Sequence, residues 1–247
     1  MDKFKINGPS KIRGEVSISG SKNAALPILA ATLLFDKNVT IKNLPRVKDI
    51  DTMLNLLKSL GRKITFKNNK KIATISKGKK NNFFAPYSLV KTMRAGILVL
   101  GPLLAKNKKA KVSSPGGCSI GVRPIDIHLK AISKLGVKIQ IEKGYVNAKA
   151  QEGLVGSEIR FSKISVGATE NLILAACLAN GTTTIKNCAI EPEIKDLTNF
   201  LKTAGAKIKW IGKRTLKIEG VKTLKSITYS IMTVSYTHLT LPTRLSV

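Results

Sequence analysis

Residues 113–128 read SSPGGCSIGVRPIDIH. Cys118 stands between a Pro-Gly-Gly turn and an Arg-Pro pair, in a stretch with neither strand alternation nor helical periodicity. Gly116 and Gly117 allow backbone angles closed to other residues and leave the thiol uncrowded on a loop. Lys111 and Arg123 lie close in sequence, and positive charge moves a thiol toward the range where it gives and takes protons at neutral pH. Cys118 is therefore a candidate acid–base thiol, the alternative being a small residue packed in a turn. The other two cysteines have duller settings. Cys177 lies in the apolar run LILAACLA and reads as core, and Cys188, at a strand end in KNCAIEPE, reads as structural.

Groups suited to anions flank this loop. Lys22 and Asn23 follow a Ser-Gly-Ser turn and open an apolar helix that Ser21 can cap, so its free N–H groups form an anion site to which Lys22 would add a charge, the alternative being a solvated lysine near a cap. Lys163-Ile164-Ser165-Val166-Gly167 repeats that cap-and-glycine pattern. Arg94 (KTMRAG) and Arg123 (VRPIDIH) are two of only eight arginines and each starts a helical segment. Each is either a bidentate clamp for phosphate or carboxylate or a member of an ordinary ion pair. Asp126 either caps the next helix or binds a ligand hydroxyl, while His128 reads as a structural histidine. Glu191 and Glu193, in EPEI, are paired carboxylates close to such a turn, the alternative being a solvated loop.

Three similar segments must position these groups. Residues 19–66 and 165–210 share an Ala-Ala-containing apolar helix, a T-I-K-N strand, an amphipathic helix, a glycine and a K-I strand. The middle copy is looser: an apolar segment at 88–105, the strand AKVSSP, then a helix and strand over 125–141. Gly61, Gly136 and Gly205 each precede x-K-I, as helix-ending glycines before a strand do. The second helices carry one apolar stripe apiece: Ile50, Leu54, Leu57 and Leu60; Ile125, Leu129, Ile132 and Leu135; Ile194, Leu197, Leu201 and Ala204. The first helices are apolar nearly all round and belong inside. The fold class is α/β, one domain of three repeated units around shared inner helices.

Bulk properties exclude other classes. The chain carries a net charge of +29, but 35 of its 43 basic residues are lysines spread along the whole length, and aromatics make up 5%. No nucleic-acid-binding motif accompanies the charge, so a lysine bias on solvated faces accounts for most of it. No signal peptide follows MDKFKINGPSK, and the apolar run 24–35 is too short to span a bilayer, so the expectation is a cytoplasmic protein. Three cysteines without regular spacing argue against a disulfide framework or a zinc site. The ends do not fit the repeat. Residues 1–21 form an extended lead-in, and after Glu219 the sequence GVKTLKSITYSIM starts a new strand. The last fourteen residues, VSYTHLTLPTRLSV, contain neither Lys nor acid and resemble translated adaptor read-through.

Taken together, SGSKNAALPILAA, KTMRAG, SPGGCSIGVRPIDIHL, SVGATENL and EPEI resemble the UDP-N-acetylglucosamine enolpyruvyl transferases. The resemblance runs in order from residue 1 to about 232, and the GGCxIGxRPxDxH block is its most specific part. It implies an inside-out α/β barrel of the enolpyruvyl transferase type and the first committed reaction of peptidoglycan synthesis: transfer of the enolpyruvyl group of phosphoenolpyruvate to the 3-hydroxyl of UDP-GlcNAc, with no metal or organic cofactor. Cys118 is then the general acid; Lys22, Asn23 and Arg123 meet phosphoenolpyruvate; Arg94, Arg123, Pro124, Ile125, Asp126, Ile127, Lys163, Ile164, Ser165 and Val166 meet the nucleotide sugar. It further implies that residues 1–21 belong to a second, mostly absent domain, that 22–229 form one three-repeat domain, that 230–232 return toward the second, and that 233–247 are a non-native tail. The aspartate base and further arginines of that family come from the missing half, so this chain alone is expected to be inactive. Rival readings are the shikimate 3-phosphate enolpyruvyl transferase, which lacks the cysteine loop, and a non-catalytic module binding a nucleotide sugar or nucleic acid.

Overall fold

A computed structural model describes residues 3, 5, 7, 8, 15, 17–79, 82–114 and 125–233. The first unit runs α1 (Lys22–Ala31), β1 (Val39–Lys42), α2 (Lys48–Ser59), β2 (Arg62–Lys67) and β3 (Ile72–Lys77). The second contains β4 (Phe84–Ala85), α3 (Tyr87–Val90), a 3₁₀ segment at Arg94–Val99, α4 (Leu100–Asn107), β5 (Lys109–Ser113), α5 (Asp126–Ser133), β6 (Lys138–Glu142) and β7 (Tyr145–Lys149). The third contains β8 (Glu158–Arg160), α6 (Val166–Ala176), β9 (Thr182–Lys186), α7 (Pro192–Thr203), β10 (Lys207–Gly212) and β11 (Thr215–Glu219), and β12 (Ile227–Ser230) follows.

Each unit builds one four-stranded sheet, and among the described residues the three sheets stay separate. The orders β4-β5-β7-β6 and β8-β9-β11-β10 are the same: the first two strands pair in parallel, the rest antiparallel. The first unit lacks a leading strand of its own. β12, the last strand, takes that place parallel to β1, with Val39 opposite Ile227, and the order β12-β1-β3-β2 completes the pattern.

The helices α1 and α6 lie inside, because they have no polar face to show. Every residue of α1 from Ala24 to Ala31 is buried, as is every residue of α6 from Ala168 to Ala176. The outer helices α2 and α7 bury the expected stripes, Ile50, Leu54, Leu57 and Leu60 on one and Ile194, Leu197, Leu201 and Ala204 on the other, and widen them with Met53 and Leu56 and with Phe200. The expected stop glycines adopt positive φ, +93° at Gly61, +84° at Gly136 and +96° at Gly205, angles that Gly takes without a Cβ penalty. Phe35, Phe200 and Tyr229 pack in series, the first pair tilted and the second edge-to-face, with centroids 5.6 and 5.3 Å apart, and tie the first unit, α7 and β12 into one core.

The middle unit departs from the sequence expectation twice. Its inner element is a short helix, a 3₁₀ run and α4 in succession, because Met93 is extended (φ −140°, ψ 108°) and interrupts the path. On α5 the stripe is rotated: Ile132 and Leu135 are buried, Ile125 and Leu129 only half-buried, and His128 takes an interior place. The reason is polar, since His128 meets Asn171 of α6 there.

Candidate functional site

The first turns of five helices gather at one end of the domain, and hydrogen bonds trace the circuit. Lys22 at the start of α1 pairs with Asp49 in the first turn of α2 at 3.1 Å. The Ser21 N–H donates to the Met232 carbonyl at 2.8 Å, and the Met232 N–H donates to Asp196 of α7 at 3.2 Å. The Ala189 N–H, entering α7, donates to Thr169 Oγ1 in the first turn of α6 at 3.1 Å. On the far side of α6, Gly167 faces the ring of His128 from α5. Helix N-termini carry unsatisfied N–H groups and partial positive charge, so this end suits anions.

Ser21 and Ser165 cap α1 and α6 in the same way, each side chain accepting from the N–H three residues on, at 3.4 and 3.3 Å. Lys22 and Asn23 are exposed beside the first cap, and Lys163 and Ile164 beside the second. Arg94, partly buried, opens the 3₁₀ segment. Ile125 is the N-cap of α5 and Asp126 lies in its first turn, followed by half-buried Ile127. Arg94 and Asp126 both act on the His128 ring: burial pushes its pKa down to about 4, the Arg94 charge adds to that, and Asp126 opposes it. The structure thus brings Arg94, Asp126, His128 and the Ser165–Val166 cap together, while Lys22 is engaged with Asp49. Cys118, Arg123 and Pro124 lie outside the described residues.

Carboxylates collect at the same end. Asp49 and Asp51 of α2, Asp126 of α5 and Glu193 of α7 lie in first turns, where the dipole favours them; Glu191 is the N-cap of α7, and Glu170 and Asp196 follow the first turns of α6 and α7. Glu170 is 5% exposed. Burial first, then the neighbouring Glu193 and Glu191, push its pKa well above the ordinary carboxyl value. Glu191 is N-cap of α7 and accepts from the Ile190 N–H at 2.8 Å. Asp196, whose pKa burial raises, accepts from the Tyr229 hydroxyl at 2.6 Å. The remaining cysteines are core, as expected: burial drives the Cys177 thiol up to about 12 and Cys188 to about 11.

Asp49, Glu170 and Asn171 were not singled out from sequence. One signal was available for the last two: a Glu-Asn pair inside an otherwise apolar helix, where a polar side chain must find a partner. Asn171 finds three. Its Oδ1 accepts from the Gly101 N–H at 2.8 Å, and its Nδ2 donates to the Ile97 carbonyl at 3.0 Å and meets His128 Nδ1 at 3.3 Å. Gly101 is required there, since a Cβ would lie 2.7 Å from Asn171 Oδ1 and overlap its carbonyl.

Residues 6–233 match the family model described as EPSP synthase (3-phosphoshikimate 1-carboxyvinyltransferase), and the chain belongs to that enolpyruvyl transferase family. Among curated proteins it is 64% identical over 232 residues to the UDP-N-acetylglucosamine 1-carboxyvinyltransferase of Pelagibacter ubique, covering 94% of this chain and 55% of that protein. It is 52% identical over 232 residues to the enzyme of the same name from Acinetobacter guillouiae, with the same coverage. The chain therefore spans about half the length of the curated relatives it matches. The solved enolpyruvyl transferase NikO from Streptomyces tendae shares the fold with a TM-score of 0.78 at 21% identity, covering 92% of this chain and 53% of that one. EPSP synthase from Acinetobacter baumannii does so with a TM-score of 0.72 at 19% identity, covering 89% and 50%. No helix among the described residues is long and apolar enough to cross a membrane.

Proposed function

We propose that this chain is one half of an enzyme that transfers the enolpyruvyl group of phosphoenolpyruvate to the 3-hydroxyl of UDP-N-acetylglucosamine and releases phosphate, the first committed step of peptidoglycan synthesis. The observation that carries the reading is 64% identity, over 94% of the chain, to a relative named for that activity. The site geometry supports it. Two Ser-capped helix N-termini with lysines beside them suit a diphosphate and a phosphate, and Arg94 and Asp126 act on His128, whose ring faces Gly167 beside the second cap. In this reading Lys22, Asn23 and Arg123 hold phosphoenolpyruvate, and Arg94, residues 123–127 and residues 163–166 hold the nucleotide sugar. Cys118 delivers the proton to the enol carbon, and positive charge stabilises the tetrahedral ketal in a site closed to water.

The second half of the site comes from a further domain to which residues 1–21 belong. Two chain crossings toward it run side by side here: Gly20 pairs with Thr233 and Ser21 with Met232. The test is to join residues 1–232 to the corresponding second half of the Pelagibacter ubique relative and measure phosphate release. Release that requires both phosphoenolpyruvate and UDP-GlcNAc, and is lost in Cys118→Ser, supports the reading. Release with shikimate 3-phosphate in place of the nucleotide sugar overturns it in favour of the sister reaction.

A further inference from the structure

We propose that the groove between α7 and β10 binds a nucleoside phosphate, with its base against Trp210 and its phosphate among Lys195, Lys202 and Lys213. The site lies on the face of α7 turned away from the core and is independent of the transfer reaction.

The groove itself recurs with the repeat, so its shape alone carries nothing. In each unit the second helix packs on the hairpin that follows it, and Gly61, Gly136 and Gly205 bring the three copies into register. At one distance before those glycines stand Asp51, Asp126 and Lys195, and at a shorter one Leu54, Leu129 and Thr198. At one distance after them stand Phe66, Ile141 and Trp210. The third copy thus puts a cation where the others have an acid, a hydroxyl where they have a leucine, and the chain's single tryptophan where they have Phe or Ile. Near a helix start the dipole favours the acid, and a local rule broken in this way is characteristic of functional positions.

Lys195, Thr198, Asn199 and Lys202 share one face of α7, and Trp210 of β10 and Lys213 close the groove from the other side. The enclosed volume is 420 Å³, inside the range of roughly 300–1,000 Å³ usual for small-molecule sites. No carboxylate lines it. Among the described residues Lys195, Lys202 and Lys213 make no ion pair. The groove of the first unit differs on both counts: Asp51 lines it, and Lys70 Nζ lies 6.0 Å over the Phe66 ring. Lysines also lie over Phe83, Phe84, Tyr87 and Tyr145, but among the described residues none lies over Trp210. The pairing of β10 with β11 shifts register between Trp210 and Gly212, an irregularity of the kind that re-aims a side chain.

An uncovered indole beside three unpaired ammonium groups calls for a ligand that is flat and anionic at once. A nucleobase stacks on indole whatever its sequence identity, lysines hold phosphate as point charges, and exposed Asn199 offers a donor and an acceptor to the ribose or the base edge.

Trp210 is the only tryptophan, so its fluorescence in the full chain reports this groove alone. Titration with AMP is expected to change that emission with a sub-millimolar Kd. Lys195→Asp, which installs the acid of the other two copies, weakens binding about fivefold or more. Lys58→Asp, at the first unit's counterpart of Lys202, changes the net charge equally and leaves binding within about twofold. Both side chains are exposed, so neither change disturbs the core. In competition with AMP, ribose 5-phosphate and adenosine, each carrying one part of the recognised chemistry, bind about tenfold more weakly or worse. A Trp210 emission that AMP does not move overturns the proposal, as does equal weakening by Lys195→Asp and Lys58→Asp, the mark of diffuse attraction to a basic chain. Ribose 5-phosphate binding as well as AMP overturns it too. An oligothymidylate that binds more tightly than AMP and is lost in Lys195→Asp overturns it in favour of a nucleic-acid strand.

Discussion

Acid should unfold this protein partly through one side chain. His128 titrates near 6.5 in an unfolded chain and near about 4 in the folded one. Between those values the unfolded state holds a proton that the folded state excludes, so stability falls as pH is lowered through the window and the effect is complete below about 4. A gap of about 2.5 pH units at about 1.4 kcal/mol each is worth roughly 3 kcal/mol, a sizeable part of the ~5–15 kcal/mol typical of a domain. The assay is urea denaturation of wild type and His128→Gln at half-unit steps from pH 7 to 4. Gln does not titrate, so the wild-type midpoint should fall relative to the variant by about 1 M urea across the series, taking a slope of about 3 kcal/mol/M. Arg94 and Asp126, the charged groups acting on the ring, are present in both proteins, as is Glu170, so their contributions cancel in the difference. Midpoints that track one another down to pH 4 would refute the placement of a neutral, buried His128.

Other substitutions test other parts of the structure. Tyr229→Phe keeps the ring against Phe200 but removes the hydroxyl that donates to Asp196; the expected loss is about 1.5–3 kcal/mol, read by calorimetry as a lower Tm, with faster exchange of the Ser21 amide. Glu170→Gln should stabilise the chain at neutral pH, because a carboxyl whose pKa burial raises contributes most below the ordinary carboxyl range and loses that contribution as pH rises. The gain over wild type should grow by about 1.4 kcal/mol per pH unit above that range for as long as Glu170 stays protonated, and a pH-independent difference counts against it. Gly101→Ala should cost at least about 1–3 kcal/mol by forcing α4 off α6, visible as a lowered urea midpoint.

The repeat was readable because each copy spends the same few residues on the same tasks: an all-apolar helix to be surrounded, a striped helix to lie outside it and a glycine to turn into the strand. Gly61, Gly136 and Gly205 do turn at positive φ. The rotation of α5 was not readable, since Ile125 and Leu129 fit an apolar stripe as well as their neighbours do. What displaced them is a hydrogen bond to a residue 43 positions away, which periodicity cannot register. The site was legible as separate caps and cations; that Arg94 acts on His128, whose ring faces Gly167 beside the Ser165 cap, is a relation across units that sequence spacing does not carry. The sequence offered Lys22 as a charge for a bound anion or as a solvated lysine, whereas Asp49, in the first turn of α2, engages it.

The place of β12 also bears on how the chain comes to be folded during synthesis. The second and third units are made of consecutive residues, so a nascent chain can close each sheet soon after its last strand leaves the ribosome. The first unit is made first and finished last: β1 waits with an open parallel edge until Ile227–Ser230 emerge, and Asn43 then binds the Ile231 carbonyl 188 residues on. A pairing of such sequence separation is slow to form, and an unpaired edge invites strands from other chains meanwhile. The last strand of the domain therefore acts as a zip that shuts the oldest part of the molecule, and the interval before it arrives is when the protein is most open to misassembly.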